Sequence, residues 1–215
     1  LTLPPYHPDT PVVRDAWAQM HEAITALDYW VADRLRELDE AGLTENTIVV
    51  FWSDHGDGLP RGKRWLYDSG THFPLIVRFP EAYRPAHFAP GSVDDRLVSS
   101  IDLAPATLKL AGLPPSEVMQ GKDFLAPRGA DEWDYLFGHR DRMDERYDCF
   151  RSVRDARYRY VRNFMYWRPY GQHLAYCEAG PIMAELRRLQ REGALPEACR
   201  WVDVPTKPRE ELYDC

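Results

Sequence analysis

The sequence predicts an α/β protein that ends in a smaller antiparallel region. Three observations predict it. A long segment repeats apolar residues every three or four positions. The run "TIVVFWS" then follows it, β-branched and apolar throughout. The last third changes to short alternating stretches separated by turn residues, the pattern of hairpins.

Thr10-Pro11 reads as a helix start, with a hydroxyl at the N-cap and proline in the first turn. Ala16, Trp17, Met20, Ile24, Leu27, Val31, Leu35 and Leu38 give the helical spacing, and Gly42 gives the stop. This predicts one amphipathic helix over 11–41. Residues 47–53, apolar on both faces, have the look of a central parallel strand. "PLIVRFP" (74–80) reads as a second buried strand. Residues 98–113 read as a helix, with Asp102 near its start and Gly112 at its end. Farther on, "YLFGHR" (135–140) reads as a strand and "FRSVRDARYRYVRNF" (150–164) as a hairpin turning at "RDAR". "PIMAELRRLQREG" (181–193) reads as a helix and "ELYD" as one more short strand. A seam is expected between 114 and 134, dividing a first part (1–125) from a second (126–215) that contributes to a pocket rim. Both ends read as cut from a longer chain.

Hydrophobic residues make up 44% and charged residues 28% of the 215, as in ordinary globular proteins. The net charge of -7 argues against a general nucleic-acid binder. It leaves an anionic small substrate open, because local fields decide that. No apolar run approaches the ~18–20 residues of a membrane span. "LTLPPYHPDTPVV" lacks the basic-then-apolar pattern of a signal peptide. The expected setting is therefore soluble: bacterial cytoplasm, periplasm or secreted. Cys149, Cys177, Cys199 and Cys215 form no CxxC pair, and both a disulfide and free thiols fit the spacing. Nothing in the sequence fixes an oligomeric state.

The chemistry concentrates in "TIVVFWSDHGDGLPRGKRW" (47–65). In an open sheet, ligands bind beyond the carboxyl ends of strands, where Asp54 and His55 fall. Carboxylate oxygen and imidazole nitrogen together can hold a divalent cation. Gly56 and Gly58 let the backbone come close to a ligand. Lys63 and Arg64 supply charge for an anion that such a cation also attracts. The plainer reading is that an aspartate after a strand forms a turn or a cap, and spacing alone does not choose between the two.

"NTIVVFWSDHGDGLPRGKRWLYDSGTHFPLIVRFP" resembles the second half of the sulfatase catalytic domain, and is most similar to bacterial sulfatases like heparan N-sulfatase (sulfamidase). "RLVSSIDLAPATLKLAGL", "HRDRMDERYD", "VRDARYRYVRNF", "RPYGQHL" and "KPREELYD" fit the same subgroup. The resemblance implies an alkaline-phosphatase-like α/β fold, with a mixed sheet between helices and a small antiparallel C-terminal subdomain. It implies metal-assisted hydrolysis of sulfate esters or sulfamates of a small anionic sugar or aryl substrate, by a hydrated formylglycine. Calcium is the implied cation and manganese the alternative. Asp54 and His55 match the second pair of metal ligands, although Asn is commoner at the second position. Lys63 matches the basic residue on the sulfate, and Arg64 stands in if the loop is offset by one.

The formylglycine motif itself, Cys-x-Pro-Ser-Arg or Cys-x-Ala-x-Arg, is absent. Cys177 opens "CEAGP", which lacks the closing arginine. The first metal-binding aspartate pair is absent too. By itself this chain is expected to be inactive and to bind metal weakly. Other residues are weighed as substrate contacts. His72 faces the site only if its loop folds back. In the charged run 139–148, His139, Arg140, Asp141, Arg142, Asp144 and Glu145 are candidates, although such runs are usually solvated faces. Two rival readings stay open: a phosphonate or phosphate monoester hydrolase with the same metal site, and a non-catalytic binding module.

Overall fold

A computed structural model describes residues 1–215. The expected first helix is present as α1 (Pro11–Glu40), with proline in its first turn. Thr10 has the extended backbone of an N-cap, but its hydroxyl makes no cap hydrogen bond. Asp9 holds the entry instead, accepting from Arg14 Nε at 2.5 Å and Nη2 at 2.7 Å. Only the first turns of the apolar stripe are covered: Val13 and Ala16 are buried, whereas Ile24, Leu27, Trp30 and Leu35 are exposed.

β1 (Val49–Trp52) pairs with β2 (Leu75–Arg78), from Val49 opposite Arg78 to Trp52 opposite Leu75. The pairing is antiparallel, which corrects the expected parallel strand. Trp52 and Ile76 are exposed. The reason lies in the connection, which doubles back so that the chain re-enters beside its exit. Ser53 N–H donates to Pro74 O (3.3 Å) and Gly56 N–H to Gly70 O (2.9 Å). A run of apolar side chains records burial in a sheet and carries no strand direction. A single helical turn, α2 (Asp68–Thr71), lies within this connection.

The predicted helix over 98–113 is a 3₁₀ turn (Ser100–Asp102) followed by α3 (Leu103–Leu110). Asp102 closes a capping box with Ser99 and is fully buried. Its carboxylate accepts Ser99 N–H (2.7 Å), Lys122 N–H (2.8 Å) and Trp133 Nε1–H (2.9 Å). One buried acid thus ties down the irregular stretch that follows α3.

A four-stranded antiparallel sheet comes next: β3 (Leu136–Met143), β4 (Arg146–Arg154), β5 (Tyr158–Asn163) and β6 (Glu210–Asp214), in that order. The turn expected at "RDAR" is present, with Asp155 accepting Arg157 N–H at 2.8 Å and Tyr158 N–H at 2.5 Å. The charged run 139–148 differs from expectation. It does not lie between a strand and a hairpin but forms most of the β3–β4 hairpin, with its tip at Asp144 and Glu145. Strand alternation turns Arg140 and Asp148 inward, where they are buried, and leaves their neighbours outside.

α4 (Ala175–Glu178) and α5 (Pro181–Arg191) cross between β5 and β6. α5 packs Ile182, Met183 and Leu186 against Val13 and Ala16 of α1, with Cys199 and Val202. A second core, Trp65, Tyr67, Phe150 and Val161, lies under the sheet. All four cysteines are free thiols. No helix is long and apolar enough to cross a membrane.

Candidate active-site loop

The chain leaves β1 through Ser53, whose hydroxyl donates to His55 O at 2.8 Å. His55 Nδ1 lies 2.8 Å from Gly56 O. A carbonyl only accepts, so Nδ1 carries the proton and Nε2 keeps its lone pair. Nε2 sits 3.5 Å from Asp54 Oδ1, and the Asp54 carboxylate is open to solvent. An oxygen and a nitrogen donor are therefore side by side and free on the outer face of the turn.

The rest of the loop is packed backbone against backbone. A Cβ on Gly56 would meet Ser69 O at 1.9 Å, and one on Gly70 would meet Gly62 O at 2.3 Å. Asp57 braces the bend by accepting Leu59 N–H (2.9 Å), and burial raises its pKa. Asp57 O accepts Lys63 N–H at 2.6 Å, and Arg61 O accepts the Ser69 hydroxyl at 2.5 Å. Arg61 lies between two rings, 4.8 Å from Tyr6 and 4.4 Å from Tyr67. His7 holds the loop from the other side: Nε2–H donates to Pro60 O (2.9 Å) while Nδ1 accepts the Trp17 indole N–H (3.0 Å).

Lys63 Nζ makes no ion pair and lies 5.7 Å from the Tyr176 ring centroid. Arg64 is engaged: it stacks on Tyr176 at 4.0 Å and donates Nε–H to Asp144 Oδ2 at 2.8 Å. Its pKa is raised by Asp144, although burial acts the other way. Arg142 Nε–H donates to Asp144 O (2.9 Å), so Arg64, Arg142 and Asp144 meet at one hairpin tip.

Arg140 is elsewhere. It is buried, 4.5 Å over the Trp65 ring and 5.2 Å over Phe150, and burial lowers its pKa. His139 is exposed and adjacent to it on β3, so strand alternation turns it to the opposite face of the sheet. His72 is exposed just after α2, with its backbone N–H on Asp68 O at 2.8 Å. The structure thus brings Asp54 to His55, and Arg64 to Asp144 and Arg142. Arg140, His139 and His72 make no hydrogen bond or ion pair to these groups, although the returning chain carries His72 back alongside the Asp54–His55 turn. Sequence reasoning missed Tyr176, the shared ring under Lys63 and Arg64; it stands 113 and 112 residues away from them, and no motif marks it.

Comparison with known proteins points one way. The sequence model of the sulfatase family matches residues 8–113. An ulvan-active sulfatase of Formosa agariphila is 42% identical over 99% of this chain, which corresponds to 35% of that protein. Human N-sulphoglucosamine sulphohydrolase is 31% identical over 78% of this chain and 35% of its own length. The chain therefore spans about a third of these relatives. Among solved structures, one in complex with its substrate D-glucosamine-2-N,6-O-disulfate aligns with a TM-score of 0.53 at 22% identity, covering 79% of this chain and 37% of that one. A 2-O GAG sulfatase aligns at 0.52 and 21%, over 80% and 41%. These two show a shared fold. With the matched residues running through β1, the Asp54–His55 turn and the Lys63 loop, the chain belongs to the sulfatase family.

Proposed function

We propose that this chain is part of a hydrolase that cleaves sulfate esters or sulfamates of a sugar, and that it supplies one wall of the site. The observation that carries this reading is the loop after β1: two free cation donors on Asp54 and His55, followed by an unpaired ammonium on Lys63. The named activities of the relatives, on ulvan and on N-sulphoglucosamine, favour a sulfated sugar over a simple aryl sulfate.

The donor set fits a hard divalent cation. Carboxylate oxygen suits both calcium and manganese, and the imidazole nitrogen beside it is a better ligand for the transition metal of the two. Asp54 and His55 fill two of the roughly six to eight positions that calcium takes. No cluster of three or more His, Cys, Asp or Glu side chains completes them in this chain. Bound there, the cation would withdraw charge from the sulfate oxygens. Lys63 would add its ammonium to the same oxygens as negative charge develops on the leaving oxygen. The turn bond of His55 Nδ1 to Gly56 O fixes the tautomer that leaves Nε2 able to coordinate. None of the four cysteines is proposed as nucleophile. Burial raises the thiol pKa of each of them, which opposes thiolate chemistry, and none stands in a formylglycine motif.

The test uses the longer protein that contains this chain, assayed on an aryl sulfate and on a sulfated glucosamine. Lys63→Ala should lower kcat by ~10²–10³-fold, the usual effect of losing one donor to developing charge. Turnover that survives the substitution unchanged would remove Lys63 from the reaction, and absence of sulfate release by the parent would remove the proposed activity.

A further inference from the structure

Two residues with left-handed backbone meet across the molecule. Arg64 has φ 79° and Asp144 has φ 50°. They stand 80 positions apart, yet the guanidinium grips both carboxylate oxygens, Nε to Oδ2 at 2.8 Å and Nη2 to Oδ1 at 3.2 Å. Aspartate tolerates this backbone region; arginine rarely adopts it. Such a conformation persists where the surroundings hold it. For Arg64 the surroundings are Asp144 on one side and the Tyr176 ring, 4.0 Å away, on the other.

The same hairpin tip also holds the ring. Glu145, next to Asp144, accepts the backbone N–H of Ala175 at 2.7 Å, and Ala175 begins the helical turn α4 that carries Tyr176. The contacts close a circuit from Asp144 to Arg64, from Arg64 to Tyr176, and from α4 back to Glu145. Lys63 rides on this circuit, one residue before Arg64, with its Nζ 5.7 Å from the same ring.

We infer that the β3–β4 tip is a positioning device for Lys63: Asp144 fixes Arg64, Glu145 fixes the Tyr176 platform, and together they set where the Lys63 ammonium points. Arg64 and Asp144 are then positioning residues and not substrate contacts. The inference rests on the proposed role of Lys63 and names what controls it.

Asp144→Asn is the suitable variant, because asparagine keeps the tolerance for left-handed backbone and loses the charge. In the 215-residue chain, amide hydrogen exchange reads the clamp without any assay of activity. Exchange across 57–67, including the Lys63 N–H held by Asp57 O, should speed up about fivefold, as for loss of one partly exposed ion pair. Glu145→Ala should do the same, and amides of β4 and β5 should keep their rates in both variants. Unchanged exchange across 57–67, or equal acceleration in the strands, overturns the clamp. In the longer protein, Asp144→Asn should lower kcat per folded enzyme about fivefold with KM held, the folded fraction being measured in the same samples; loss of stability alone would leave that corrected kcat unchanged. If the parent protein releases no sulfate, the functional reading falls while the exchange result still decides the clamp.

Discussion

Single residues carry unusual weight here because several charges are buried. Lys207 and Asp148 are 0% and 1% exposed, with Nζ at 2.6 and 2.7 Å from the two carboxylate oxygens. Burial lowers the pKa of Lys207, and its pairing with Asp148 opposes that shift. Lys207→Met removes the direct partner of Asp148 and leaves its charge to the Cys149 N–H and the field of buried Arg140, so it should cost ~3 kcal/mol in urea unfolding. A loss below about 1 kcal/mol would mean that water or another cation reaches Asp148. His7 gives a pH dependence. Burial pushes its pKa down to about 4, against the ordinary 6.5. The unfolded chain therefore binds more protons than the folded one between those values. Stability from this residue is complete above about pH 6.5 and declines as pH falls towards 4, by ~3 kcal/mol at most. A His7→Gln variant should lack that extra loss. Parallel urea midpoints for the two proteins from about pH 7 to about pH 4.5 would refute it.

At the scale of elements, the Asp54–His55 turn is held by close backbone contact, while Trp65 and Tyr67 anchor the end of the loop in the second apolar core. Gly56 is the point of closest approach, where a Cβ would lie 1.9 Å from Ser69 O. Gly56→Ala must push the Asp54–His55 turn away from residues 69–70. It should destabilise the chain by ~1–3 kcal/mol and raise exchange at residues 53–57 first. A crystal structure or exchange map showing that turn unmoved would contradict this account. Gly56 and Gly58 read as letting the backbone approach a ligand, but Gly56 packs against residues 69–70 and a Cβ on Gly58 would meet nothing within 4 Å; the strand before them was legible as apolar. Strand direction was not, because it is set by how the loop returns to Pro74. In the β3–β4 hairpin the charged run looked like a solvated face, and most of it is. Arg140 and Asp148 go inward because a strand alternates its faces, whatever the composition of the segment.

For the whole molecule, two features bear on what the chain can do by itself. Its donors for a cation number two, on Asp54 and His55, without a third acid or histidine in reach. Its longest helix and its two-stranded sheet leave Trp30, Trp52 and Ile76 exposed. Calcium added to this chain should therefore leave its melting temperature within about a degree, since binding at two ligands is too weak to shift folding by mass action. A rise of several degrees, with turnover of an aryl sulfate, would show a complete site.

The sequence by itself determined the element types, the loop that carries chemistry and the family, because periodicity and local motifs are written in adjacent residues. It offered Asp54, His55, Lys63 and Arg64 together as groups suited to a cation and an anion, and the resemblance to sulfatases singled out Lys63. Only the tertiary structure decided that Arg64 is committed to Asp144, that Tyr176 lies beneath both basic residues, and that Arg140 is interior. Each of those facts joins segments that are distant in the chain, and sequence order does not record which distant side chains the packing brings within hydrogen-bond reach.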